Sequence, residues 1–406
     1  MVHRTMSRRV IVKGKKAIKL TILALSVFLT LTFAWLALRP VPPYRVPSGP
    51  PEFTYTEQSQ GFRVLAMLVN GATKELIPQF ELGAGAFYQT ELEGPEDFLA
   101  AGEPFWRVAM RRGLKAAVLF WPEVYPDSPF RADYTVAPDL CYGSSYLHTI
   151  TFTEVITPWA NLTPSFSIPL EGIMEVKAPE GGLIARFRFL ALDTTDDGVT
   201  GYDALALEGS SELLRPGEWL VLEVDPHLHS GAFLKLLRLD PRKALLYQTS
   251  ICYTYASPPS LLRELNRELG FPPPPIDPQS LNQGWISPED ALFLLNERAR
   301  WVAEAALLVW RDYKPDLMLV YSGLMKEATA LPSNENNFLL QAYNLTGQIF
   351  RKLKENMEGE GIAAVFSSGP EGFFVIHGDM AKVKIESPYP LDAKDVGSVL
   401  LSLLPH

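Results

Sequence analysis

Few residues in this chain have the types that acid–base or metal chemistry requires, and their spacing narrows the field further. Six histidines and two cysteines are spread over 406 residues. His227 and His229, in Asp225-Pro-His-Leu-His229, have the i, i+2 spacing that sets both imidazoles on one face of a strand. Two zinc ligands can be arranged that way with a third from elsewhere, but a polar surface strand is the simpler account. His377, in Phe373-Phe-Val-Ile-His-Gly378, stands near the carboxyl end of a late strand and is a candidate cleft residue, although a turn explains it more simply. His148 has no carboxylate within four residues. The run Asp193-Thr-Thr-Asp-Asp-Gly198 has the composition of a calcium loop without the downstream bidentate Glu, so it reads as a hairpin turn. Asn70 ends the apolar run Val64-Leu-Ala-Met-Leu-Val69 and precedes Gly71. Ligands of open α/β sheets gather beyond the carboxyl ends of strands, so Asn70 stands where chemistry is expected, with an uncharged amide.

The elements that position these residues alternate between short apolar runs and amphipathic segments. The pattern predicts a strand over 62–69, helices over 73–80 and 104–112, and a second buried strand over 116–121. That order implies a parallel sheet with crossover helices. Between 150 and 254 the segments become short, β-rich and separated by turns, which predicts an inserted antiparallel β subdomain. Helical signals then return. Ser287-Pro-Glu-Asp290 opens a long helix through Asp312, with a Ser cap, Pro in the first turn and two acids at its positive end. A strand over 316–321, a helix over 337–356, strands over 362–366, 373–376 and 382–385 and a helix over 394–404 complete the reading. The α/β domain is therefore expected over 62–149 and 255–406, with residues 150–254 as the insertion.

The beginning of the chain reads as an address. Residues 1–19 hold seven Lys and Arg and no acid, and 20–38 run without a charge. About 20 apolar residues span a bilayer, and the basic flank keeps its side cytoplasmic. This predicts a single-pass signal-anchor in the cell membrane, with the bulk of the chain extracytoplasmic. Ser7-Arg-Arg-Val-Ile-Val-Lys13 also has a weak likeness to a twin-arginine signal. Residues 39–61 form a proline-rich tether. Overall the chain has 37 Lys and Arg against 46 Asp and Glu. Without the seven leader cations the balance is 30 against 46, or −16, which argues against nucleic acid as a partner. Cys141 and Cys252 can pair in an oxidising compartment or remain as two buried thiols.

In order, Val69-Asn70-Gly-Ala72, Pro104-Phe-Trp-Arg-Val108, Gly113-Leu-Lys-Ala-Ala-Val-Leu-Phe-Trp-Pro-Glu-Val-Tyr-Pro126, Leu214-Arg-Pro-Gly-Glu-Trp219, Lys314-Pro-Asp-Leu-Met-Leu-Val-Tyr321, Ala342-Tyr343 and Val365-Phe-Ser-Ser-Gly-Pro-Glu-Gly372 resemble the alkaline phosphatase superfamily. Within it they are most similar to the type I phosphodiesterase/nucleotide pyrophosphatase group. The resemblance implies a three-layer α/β/α sheet carrying the inserted β subdomain. It also implies a site where two divalent metals, typically zinc, clamp the attacking and leaving oxygens of phosphoryl transfer to a Ser or Thr.

Residue by residue, the implied site is dismantled. Asn70 stands where the family's first strand ends in Asp. Lys326 and Ala330 stand in the Asp-x-x-x-His segment, and Ser368 and Gly369 where the family has Asp and His in Ser-Asp-His-Gly. The nucleophile segment is reduced to 79–103, without a Thr-Gly-x-x-Pro signature. Lys326 replaces an anion with a cation and is a second candidate cleft residue, able to hold an anionic ligand. The expectation is therefore a catalytically inactive relative that holds no metal cofactor and serves as a binding, scaffold or regulatory protein, paired with a protein partner or an active paralogue. An active, divergent phosphodiesterase or phosphatase of the same superfamily is the alternative, and an envelope assembly protein without a small ligand is a third class.

Overall fold

Six consecutive residues, Val64 to Val69, have no exposed surface, and this run makes the central strand of the molecule. A continuous apolar run without alternation is the pattern of a parallel strand covered on both faces. The computed structural model describes residues 53–55, 63–70, 72, 86–100, 102–138, 140–155, 165–178, 181–199, 201–332, 338–357, 361–368, 372–377, 383–385 and 390–404. The basic leader, the predicted span over 20–38, most of the tether and the helix expected over 73–80 lie outside them. Among the described residues no helix is long and apolar enough to cross a membrane.

The protein is a mixed α/β molecule with several sheets. Among the described residues the main sheet has eight strands: β1 Arg63–Asn70, β2 Ala86–Thr90, β3 Ala116–Leu119, β4 Tyr134–Val136, β5 Ala256–Ser257, β6 Leu317–Ser322, β7 Gly361–Ser368 and β8 Gly372–His377. Their order is β5-β4-β3-β6-β1-β7-β8-β2. The five central strands, β4 to β7 in that order, are parallel, whereas β5, β8 and β2 join antiparallel at the edges.

Helices cover the sheet. They are α1 Asp97–Ala100, α2 Phe105–Arg111, α3 Pro259–Leu269, α4 Pro278–Asn282, α5 Pro288–Leu308, α6 Leu324–Thr329, α7 Phe338–Glu355 and α8 Ala393–Ser402. Leu65, Met67 and Val69 share a core with residues of α5 and α7, such as Leu294, Leu295, Ile349 and Phe350. The alternate residues point to the other face, where Phe366 and Trp121 meet Phe98 at ring distances of 5.5 Å each. The Ser287 and Asp290 side chains form the reciprocal capping box of α5.

Downstream, α5 does not run regularly to Asp312 as expected: Val309–Tyr313 is a π-turn and Lys314 follows in the left-handed region. Arg63 supplies the reason, stacking 3.6 Å over the Trp310 ring and donating to the carbonyls of Trp310 and Pro315.

The insertion folds as two antiparallel sheets. In one, Leu140–Tyr142, Ile251–Tyr253, Ser230–Asp240, Lys243–Gln248 and Tyr146–Thr151 lie side by side, and Trp219–Asp225 joins Ser230–Asp240. In the other, Leu213–Leu214, Ala204–Leu207, Leu183–Leu192, Leu170–Lys177 and Thr153–Glu154 are neighbours. Their facing side chains, among them Ile150, Met174, Phe189, Leu222, Leu234 and Leu246, form a separate core. Leu140–Tyr142 and most of Tyr146–Thr151, which the sequence leaves before residue 150, therefore belong to this sandwich. Lys243–Gln248 and Ile251–Tyr253 are separate strands, with a break before Ile251.

His227 and His229 require a correction. They sit exposed in the turn between Trp219–Asp225 and Ser230–Asp240 instead of sharing a strand face, because Asp225 accepts from the His227 N–H and starts the turn. Asp193 does organise a loop between two strands, accepting from the Ser167 hydroxyl and the Gly201 N–H.

A buried joint fixes the sandwich to the α/β part. Lys235 pairs with Asp290 at the start of α5, Trp219 Nε1 donates to the same carboxylate at 3.2 Å, and the Trp219 ring stacks on Phe293 at 5.5 Å.

Candidate functional site

Parallel pairing brings the carboxyl ends of β6, β1 and β7 together. In register, Asn70 faces Ser368, while Val69 faces Ser322 on the other neighbour. Ser368 Oγ donates to Asn70 Oδ1 at 3.0 Å, and Asn70 Nδ2 donates to the Tyr321 hydroxyl at 3.4 Å. Ser368 is fully buried, Tyr321 is buried and Asn70 is half-buried. The sequence thus reaches this point through three apolar strands that each deliver one polar group at or near their last residue.

Neighbouring groups close the arrangement. Trp121, fully buried, lies 6.4 Å from the Tyr321 ring. Phe120, the residue after β3, adopts a positive φ of 62° and packs on Trp301 at 5.6 Å. A positive φ on a bulky side chain costs backbone energy, and here it turns the ring into the core as the chain leaves the sheet. A cavity of about 50 Å³ remains, lined by Phe120, Trp301, Tyr321, Ser322 and the Arg298 side chain. Arg298 Nε pairs with Glu327 at 2.8 Å and its Nη1 donates to the Pro273 carbonyl, while Glu327 accepts from the Ile276 N–H. This ion pair ties α5 and α6 to the tetraproline connector 272–275.

The other positions expected at the site separate. Lys326 and Ala330 are both exposed, Lys326 on α6 and Ala330 just past its end. Gly369 lies outside the described residues. His377 is a correction: β8 runs antiparallel to β7, and His377 pairs with Ala363, five residues before Ser368. At roughly 3.3 Å per residue this is about 17 Å along the strands from the level of Asn70, away from the strand ends where it was expected.

Tyr321 is the member that motif reasoning passes over as part of the strand. A phenol ending an apolar run just before Ser322-Gly323 was the available signal, since a hydroxyl there reaches the same strand ends as Asn70.

The chemistry of this arrangement is that of neutral hydrogen bonds. The Asn70 carbonyl oxygen is taken by Ser368 and its amide nitrogen offers protons, so neither atom is an anionic ligand. Two divalent cations need carboxylate oxygens and imidazoles, and the residues at these positions do not fit them. Among the described residues no group of three or more His, Cys, Asp or Glu could hold a metal ion. Compared with known proteins, the chain matches no family model, no curated protein and no solved structure.

Proposed function

We propose that this protein is a membrane-anchored, extracytoplasmic relative of the type I phosphodiesterase/nucleotide pyrophosphatase group, built on that group's three-layer α/β/α sheet, catalytically inactive, and retained as a binding, scaffold or regulatory protein. The observation that carries this reading is the Asn70–Ser368–Tyr321 cluster: the strand ends where the family gathers charge are joined by neutral hydrogen bonds. A carboxylate kept there for a metal would be buried beside other anions and would need the cation to balance it; an amide needs only its two partners. The address is supported by the Cys141–Cys252 disulfide, a bond that persists in oxidising compartments, and by the basic leader with its uncharged run. The predicted partner is another protein, an active paralogue among the candidates.

Full-length protein in detergent, supplied with zinc or manganese, tests the reading against an aryl phosphodiester, with bound metal measured in parallel. The expected result is no turnover above buffer and no stoichiometric metal. Hydrolysis that a chelator abolishes would overturn the proposal in favour of an active, divergent hydrolase.

A further inference from the structure

The inner faces of the sandwich change character at one end. Period-two alternation places Ile150, His148 and Tyr146 on one face of Tyr146–Thr151, and Ala244, Leu246 and Gln248 on one face of its neighbour Lys243–Gln248. Ile150, Ala244 and Leu246 lie in the sandwich core. Further along the same faces, apolar side chains give way to an imidazole, a phenol and an amide, paired across the strands with Leu246 opposite His148 and Gln248 opposite Tyr146.

A buried amide must recover the hydrogen bonds it loses to water, so an apolar filling would be the more stabilising choice at this position. Gln248 is only 5% exposed, and its Oε1 lies 2.9 Å from His148 Nε2. The direction of that bond follows from its neighbour: Gln248 Nε2 donates to the Thr249 carbonyl. The amide oxygen is therefore the acceptor, His148 donates from Nε2, and Nδ1 keeps its lone pair. Burial holds His148 below the ordinary imidazole value, on its neutral side.

A cleft of about 1020 Å³ opens here between Tyr146–Thr151 and the facing strand Leu170–Lys177. Tyr146, 60% exposed, lines this cleft and packs against the His148 ring in a T-shaped pair at 4.9 Å. Tyr142 lines the same space, its hydroxyl 3.3 Å from Ser230 Oγ. Among the described lining residues Lys177 and Glu175 carry the charge, paired at 3.6 Å, and Glu175 is also held by Arg186 at 2.9 Å. Phosphate recognition relies on several charge-assisted donors converging on one point, whereas among the described lining residues Lys177 is the cation and it is already engaged with Glu175. Aromatic faces beside neutral amide and imidazole groups suit a ligand with apolar C–H faces and hydroxyl edges.

We infer that this cleft binds a neutral oligosaccharide, with Tyr146 stacked on a pyranose ring and Gln248 and His148 fixing its hydroxyls. The inference stands on the sandwich alone and does not depend on the reading at Asn70.

Full-length protein in a detergent without a sugar headgroup is titrated by calorimetry with chitotetraose, cellotetraose and maltotetraose, and with inositol hexakisphosphate as an anionic comparison. At least one tetrasaccharide is expected to bind saturably, about tenfold more weakly after Tyr146→Ala, and near the original strength in Tyr146→Trp. Because Gln248 is buried and its replacement can disturb the fold, the exposed Tyr146 carries the test, with an unchanged melting temperature as the check. Absence of saturable binding by all three sugars, sugar binding indifferent to Tyr146→Ala, or preference for the anion would each overturn the inference.

Discussion

Asn70 satisfies its partners in a way that its nearest isostere can imitate and an apolar residue cannot. An aspartate at 70 can accept from both the Ser368 and Tyr321 hydroxyls, so Asn70→Asp is expected to fold, with a stability change within about 1 kcal/mol, and to acquire no stoichiometric zinc, because Lys326, Ala330 and Ser368 supply no further ligands. Asn70→Leu leaves the fully buried Ser368 hydroxyl without its acceptor. It should cost about 1–3 kcal/mol in urea denaturation; a loss no larger than that of Asn70→Asp would show that the bond matters little. His148 gives a pH signature of its own. Desolvation lowers its folded value beneath the ordinary imidazole value of 6.5, partly countered by the Gln248 hydrogen bond. The folded state therefore favours the neutral ring, and stability is full above about pH 6.5 and falls as the pH drops through the lowered value. Denaturation midpoints at pH 7.5 and 5 should differ more in the native protein than in His148→Gln; among the described residues Tyr142, Tyr146, Glu175 and Lys177 are the other ionisable side chains lining the cleft.

At the level of elements, the π-turn after α5 is held open by a residue from another strand. Arg63 both stacks on Trp310 and donates to two carbonyls around the turn. A lysine can reach one carbonyl but offers no planar fork for the ring, so Arg63→Lys should cost about 1–3 kcal/mol, read from the denaturation midpoint. This is why the sequence misjudged the region: helix periodicity continues through Asp312, and the partner that diverts it lies 247 residues earlier. Where the information is local, the reading held. The strand over 316–321 and the Ser cap at Ser287 follow from neighbouring residues alone. The polar contents of the sandwich were not legible, because Tyr146, His148 and Gln248 come together only after 100 residues of intervening chain have folded into two sheets. At the sheet ends, Asn70 could be nominated from its strand ending and Ser368 from the family resemblance, but the antiparallel course of β8 that carries His377 away depends on pairing.

For the molecule as a whole, two features stand at the base of the sandwich, one joining it to the α/β part and one closing its own strands. The buried Lys235–Asp290 pair is one. Burial alone would raise the Asp290 carboxyl; Lys235 and the Ser287 N–H outweigh it and hold the group below the usual range. Lys235→Met strands that carboxylate and should cost about 3–5 kcal/mol, with Lys235→Met/Asp290→Asn milder than the single change. Equal losses in both variants would mean that the charge itself is not what matters. The other feature is the disulfide at the neck, where Cys141 and Cys252 face each other across paired strands and close 111 residues of chain. Replacing both by serine should cost about 2–5 kcal/mol, seen as a lower melting temperature matched by the native protein under reductant.

The neck also means that the sandwich is attached by two strands running side by side, its entry and exit points 4.0 Å apart at the cysteine Cα atoms. Just inside it, β4 and β5 are already paired, Val136 with Ala256, and the order of the central strands runs past the insertion without using it. Such an attachment behaves as a cassette. A lineage could lengthen or reshape what lies between the cysteines, apart from the Trp219 and Lys235 contacts to α5, while the sheet beneath keeps its register, so that the two surfaces of this protein are free to diverge at different rates.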